Sequence, residues 1–139
     1  MNWFAYALLA AIAAAATAIL AKVGVKDVNS NLATAIRTLV IVGFAWGIVF
    51  LTGAQGGLAH LSRHTLIFLV LSGIATGLSW LFYFRALQLG EASRVAPIDK
   101  FSLVLTLVFA SIFLSESINW QVGIGVVLIS IGTTLVALG

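Results

Sequence analysis

Two opposite charges lie inside segments that are otherwise apolar: Arg37 in "LATAIRTLV" and Asp99 in "VAPIDKFS". An ionised side chain is costly in hydrocarbon, so within membranes it usually faces a bundle interior, where it pairs or lines a pathway. At about 1.5 Å per residue, Arg37 lies about 8 Å and Asp99 about 5 Å beyond the start of its predicted membrane span. Both spans start on the same side, and the spacing therefore predicts an ion pair that binds or gates a small charged molecule.

Two further basic residues reach the same depth, because Lys22 ends the first apolar segment and Arg85 lies near the end of the third. Together the four charges predict a polar vestibule with an excess of positive charge. A simpler interpretation also fits: the basic residues only set membrane orientation, and Pro97 with Asp99 opens a helix, where proline and an acid are favourable. In that case the methylene groups of Lys100 lie within the membrane, and its ammonium group reaches the membrane surface.

Composition decides the class of protein that carries these charges. The chain has 139 residues, of which 62% are hydrophobic and 8% charged, and it contains no cysteine; its mean hydropathy is +1.18. A soluble domain would carry about 25% charged residues, whereas recurring apolar stretches of about 20 residues are typical of membrane helices. We predict an all-α integral membrane protein, a single domain over residues 1–139 with five transmembrane helices in one compact bundle. The predicted spans are Trp3–Ala21, Leu32–Thr52, Thr65–Leu87, Ala96–Ser115 and Trp120–Leu138.

The distribution of basic residues predicts the orientation of these spans. An odd number of spans places the two termini on opposite sides. Six basic residues lie on or near the side of the C-terminus, and Arg63 alone lies on the other; the six are Lys22, Lys26, Arg37, Arg85, Arg94 and Lys100. By the positive-inside rule, we expect the C-terminus in the cytoplasm and the N-terminus outside, in the inner cell membrane.

Small residues predict where helices approach closely. Gly73 and Gly77 form a G-x-x-x-G step in the third span, and Gly125 and Gly132 recur after seven residues in the fifth. Such positions allow close contact between helix backbones. They predict either a packing face within the bundle or a dimer seam.

Several segments together resemble the EamA-type domain of the drug/metabolite transporter superfamily. The matching stretches are "ILAKVGV", "LATAIRTLV", "SWLFYFRALQLGEASRVAPIDK" and "VFASIFLSESINWQVGIGVVLISIGTTLVAL".

The resemblance is to single-domain members, about half the length of the ten-helix transporters. It implies half of an inverted-repeat transporter, completed as a homodimer or as a heterodimer with an oppositely oriented five-helix unit. Inverted repeats place the substrate between the two units. The implied substrate-binding or gating residues are Lys22, Arg37, Tyr83, Arg85, Asp99 and Lys100.

These observations favour a transporter subunit that moves small anionic or zwitterionic metabolites by alternating access, with no cofactor, metal or nucleic-acid partner. The spans contain no histidine and no paired acids for general acid–base chemistry, which argues against an enzyme. The first span contains no acid, so a proton-coupled exporter of the small multidrug-resistance type is disfavoured. Ser117 departs from the family pattern, in which a basic residue follows the acid at Glu116. The alternative is a non-transporting assembly or auxiliary subunit, whose charges serve only orientation.

Overall fold

The computed structural model describes residues 2–139, and over these residues the secondary structure is entirely helical. The α-helices are α1 (Trp3–Gly24), α2 (Ser30–Thr52), α3 (Arg63–Leu89), α4 (Ala92–Asp99), α5 (Ser102–Phe113) and α6 (Trp120–Leu138), and a 3-10 helix covers Ala54–His60. Among the described residues, five segments are long and apolar enough to cross a membrane, with α4 and α5 together forming one segment, Ala92–Phe113. The predicted all-α membrane fold is thus confirmed, with α1, α2 and α3 two to three residues longer at some ends than expected.

Most large apolar side chains are exposed on the surface of the single chain. The buried apolar side chains are Ala18, Val25, Phe84 and Leu87, whereas Leu51, for example, is 89% exposed. Exposed apolar surface on this scale is unfavourable in water and is the normal state of helices surrounded by lipid chains. A helix also satisfies its own backbone polar groups, as hydrocarbon requires.

The described residues form two compact units, one of residues 2–19 with Leu89–Gly139 and one of Leu20–Gln88, so the boundary crosses α1 and α3. In the unit of residues 20–88, local hydrogen bonds define both ends of α2. The Asn29 side chain accepts hydrogen bonds from the backbone N–H groups of Asn31 and Leu32, at 2.9 and 3.3 Å. Gly53 ends α2 with a positive φ of 69°, and its N–H bonds back to the last turn. Asparagine at the start and glycine at the end are favoured for these geometries.

In the other unit, α4 and α5 both pack against α6. Arg94 in α4 donates a hydrogen bond from Nη2 to the carbonyl oxygen of Gly139, at 2.9 Å. The same guanidinium forms an ion pair with Glu91, with 3.4 Å between Nε and Oε2. Arg94 therefore holds the first turn of α4 beside the end of α6.

The fourth span differs from the prediction. It begins at Ala92, so Pro97 lies inside α4 and Asp99 is its last residue. The prediction that proline and Asp99 open the fourth helix was wrong, because the N–H groups of Arg94 and Val95 already bond to the carbonyl of Glu91 and form an earlier first turn.

The helix is then interrupted between Asp99 and Ser102. Here the N–H groups of Lys100 and Phe101 bond to the carbonyls of Pro97 and Ile98, at 3.0 and 2.9 Å. Bonds of this i to i+3 type belong to a tight 3-10 turn, which is common where a helix changes course. The interruption places the charged pair Asp99 and Lys100 at the junction of α4 and α5.

Candidate functional site

Arg37 lies in α2 and is half-buried against an aromatic wall on α3. Its Cζ atom is 4.5 Å from the centre of the Trp80 ring and 5.2 Å from that of Phe84. Trp80 and Phe84 are four residues apart, so their rings lie on the same face of α3. A guanidinium over an aromatic face gains about 0.5 to 2 kcal/mol, with the larger values in desolvated sites. The wall therefore fixes the position of Arg37 without neutralising its charge.

The polar groups around Arg37 leave its donors available. Tyr83 lies beside this wall, with its ring centre 6.5 Å from that of Phe84. The hydroxyls of Thr34 and Thr38 donate to the carbonyls of Ser30 and Thr34 in their own helix, at 2.9 and 2.8 Å. The structure gives the guanidinium no hydrogen bond to any residue between 2 and 139. A planar cation with unused donors is a suitable site for a carboxylate or a phosphate.

Lys22 and Gln88 join α1 and the following loop to the end of α3. The Lys22 Nζ atom donates to the carbonyl oxygen of Leu87, at 2.6 Å. The Gln88 Nε2 atom donates to the carbonyl oxygens of Val25 and Val28, at 3.3 and 2.8 Å. The last carbonyls of a helix lack partners within it and attract positive charge. Lys22 therefore supports the fold at this position, in addition to its predicted role in binding.

Arg85 lies at the same end of α3 and is held by a neutral partner. Its Nη1 atom donates to Oε1 of Gln88, at 2.7 Å. Arg85 also lines a cavity of about 480 Å³, whose other walls come from Asn29, Ser30, Asn31, Leu78, Leu81 and Phe82. Because Gln88 is uncharged, the positive charge of Arg85 remains available to an anion.

Asp99 and Lys100, in the other unit, pair with each other. Their Oδ2 and Nζ atoms are 3.6 Å apart, and the two side chains are 39% and 53% exposed. An exposed pair of this kind contributes about 0 to 1 kcal/mol. The predicted pairing of Asp99 with Arg37 involves residues of different units and stays a prediction, as does the combined role of the six candidate residues.

Sequence reasoning missed the two residues that organise this region most directly. Gln88 was not a candidate, although it makes three hydrogen bonds that link the end of α3 to the loop after α1 and to Arg85. Trp80 belonged to the dense "WLFYF" cluster, but its role as the platform for Arg37 was not foreseen. Two sequence features could have indicated these roles. Gln88 is a polar residue at a helix end, and Trp80 belongs to an aromatic cluster that directly precedes Arg85.

The four predicted glycine positions face open space within their own units. A Cβ atom added at Gly73, Gly77, Gly125 or Gly132 would meet no atom of its own unit within 4 Å. Both predicted roles, a packing face within the bundle and a dimer seam, therefore stay predictions.

The chain is similar to known membrane proteins over nearly its whole length. The sequence profile of the EamA-like transporter family matches residues 1–138. A protein from Sinorhizobium sp., described as an uncharacterized transporter in the cobO 3′ region, is 48% identical over 136 residues, which cover 98% of this chain and 96% of the relative. No solved structure matches the chain.

Proposed function

Because the chain belongs to the EamA-like transporter family, we propose that it is a transporter subunit for small anionic or zwitterionic metabolites. The relative from Sinorhizobium sp. is also described as a transporter, which supports the same activity here. The family and the five apolar helices make the chain a multi-pass membrane protein. We infer the class of substrate from the charge and hydrogen-bond donors around Arg37.

Arg37 is the observation that carries the substrate class. Its guanidinium is held inside a membrane span by stacking on Trp80 and Phe84, and it keeps unused hydrogen-bond donors. A half-buried cation attracts an anion more strongly than a fully solvated one does, because the effective dielectric constant around it is lower. A carboxylate or phosphate group on the substrate would supply the missing acceptors.

In this proposal, transport by alternating access requires a second five-helix chain. A chain with five spans corresponds to one repeat of an inverted pair, and inverted pairs bind substrate between their halves near the membrane midplane. The open faces at Gly73 and Gly77 in α3, and at Gly125 and Gly132 in α6, are our candidates for the seam. The partner is either a second copy of the chain or a related unit of opposite orientation.

Efflux from proteoliposomes tests the function even while the substrate is unidentified. Vesicles that contain the purified protein are loaded with a total small-metabolite extract, and the released compounds are identified by mass spectrometry. We expect selective release of one or a few anions or zwitterions, compared with protein-free vesicles. Release of cations alone would contradict the proposed substrate class. Release indistinguishable from that of protein-free vesicles would favour either an auxiliary subunit or a transport subunit whose partner of opposite orientation is missing from the vesicles.

Reporter fusions test the orientation. A cytoplasm-active reporter and a periplasm-active reporter are each placed after Gly139 and compared. We expect activity from the cytoplasmic reporter alone, because six of the seven basic residues lie toward the C-terminal side. This result would mean that the chain either needs a partner of opposite orientation or assembles in parallel, unlike the ten-helix transporters. Comparable activity of both reporters would contradict the expectation and indicate a homodimer built from two orientations of one chain.

A further inference from the structure

A second basic cavity lies in the unit of residues 20–88. It encloses about 460 Å³ and is lined by Lys22, Val23, Val25, Lys26, Leu87 and Gln88. Arg37 is not part of its lining. We propose that this cavity binds the phosphate headgroup of an anionic membrane lipid, a role distinct from substrate transport.

The two lysines give the cavity its charge. The Lys22 ammonium is fixed at the cavity wall by its bond to the Leu87 carbonyl, which accepts the hydrogen bond without cancelling the charge. Lys26 is exposed and forms no ion pair with any carboxylate that the structure describes. Asp27, its neighbour in sequence, is likewise not among the described ion pairs. A phosphate diester in the cavity would be attracted by both positive charges.

The position of the cavity favours a lipid over a soluble phosphate. It lies at the C-terminal end of α1, where a membrane span ends and headgroups are expected. Leu20 and Val23 are three residues apart on α1 and are 71% and 74% exposed. Residues at this spacing share one helix face, which provides an apolar surface for an acyl chain beside the basic cavity. Basic pockets at the ends of membrane helices are typical sites for anionic headgroups.

The cavity walls are rigid enough to hold a defined ligand. Val25 and Leu87 are fully buried, and Gln88 ties the loop that carries Lys26 to α3 through the carbonyls of Val25 and Val28. Lys26 lies between these two anchored residues, so its backbone position is set. A preorganised site loses less conformational entropy on binding than a mobile loop does.

Native mass spectrometry of the full chain in an uncharged detergent tests the proposal. Phosphatidylglycerol and phosphatidylcholine with identical acyl chains are titrated in parallel. We expect tighter binding of phosphatidylglycerol, and a loss of about fivefold in its affinity in Lys26→Gln, because one basic side chain near a headgroup contributes about this factor. Lys26→Arg keeps the charge and should bind nearly as well as the unchanged protein. Arg63→Gln, which removes the same charge from the first residue of α3, should also bind normally.

Three outcomes would overturn the inference. Equal binding of both lipids would show that no headgroup is recognised. An equal loss in Lys26→Gln and Arg63→Gln would mean that net charge, and not this cavity, attracts the lipid. Displacement of phosphatidylglycerol by a modest excess of glycerol 3-phosphate would identify a site for soluble phosphate esters. The proposed transport activity does not depend on any of these results.

Discussion

Replacing Arg37 by glutamine is expected to reduce transport by about one to two orders of magnitude. A charged hydrogen bond contributes about 1.5 to 3 kcal/mol to binding, and each 1.4 kcal/mol corresponds to a factor of ten. The glutamine side chain keeps some hydrogen-bonding capacity but loses the charge, and it cannot stack as a cation on Trp80. The measurement is the initial rate of efflux, for the compound identified with the unchanged protein, from proteoliposomes containing each variant.

Arg37→Lys separates charge from geometry. Lysine retains the positive charge but lacks the planar, forked guanidinium that binds a carboxylate through two bonds and stacks on an aromatic ring. We therefore expect transport between that of the unchanged protein and that of Arg37→Gln. Transport equal to that of the unchanged protein would mean that charge alone is sufficient.

A stability measurement is needed to interpret the Arg37 variants. The Trp80 and Phe84 contacts contribute about 0.5 to 2 kcal/mol, so the free energy of unfolding should change only modestly. Arg63→Gln serves as the matched control, because it removes the same charge from the first residue of α3. Full transport by Arg37→Gln would contradict the assignment of Arg37 to the substrate site.

Leu87→Ala should destabilise the protein more than any of the Arg37 or Lys26 variants. Leu87 is fully buried, with 0% of its surface exposed. Truncation of a buried leucine to alanine costs about 2 to 5 kcal/mol through lost contacts and the remaining cavity. The same residue accepts the Lys22 hydrogen bond through its carbonyl, so a local shift would also disturb the link between α1 and α3. The measurement is the free energy of unfolding in mixed micelles, with increasing denaturing detergent.

Leu89→Ala is the control for this prediction. Leu89 lies in the last turn of the same helix, but it is 73% exposed. An alanine there removes apolar surface that is not packed within the chain, so the free energy of unfolding should change by about 0.5 kcal/mol or less. Similar losses in the two variants would contradict the view that the end of α3 is held by burial of Leu87.

Local signals predicted most helix ends well and failed where a tertiary constraint intervened. The fifth span was predicted with the bounds of α6, Trp120–Leu138, and the structure shows a local cap at its start, where the Asn119 side chain accepts a hydrogen bond from the N–H of Gln121. The fourth span was predicted four residues too late, because Pro97 looked like a first-turn residue. Its actual start depends on Glu91, whose carbonyl accepts two backbone bonds, and on Arg94, which binds the end of α6.

Residue composition and spacing are sufficient to predict a five-span helical membrane protein with charges placed inside its spans. Both properties follow from composition and from spacing along one chain, since apolar length decides membrane insertion and interior charges stand out against an apolar background. The partners of those charges became visible only in the folded chain. The fold places Arg37 on Trp80, Lys22 on the Leu87 carbonyl, and Gln88 across the loop at Val25 and Val28. Such contacts join residues that are more than 40 positions apart, and they depend on how helices pack, which local residue patterns do not specify.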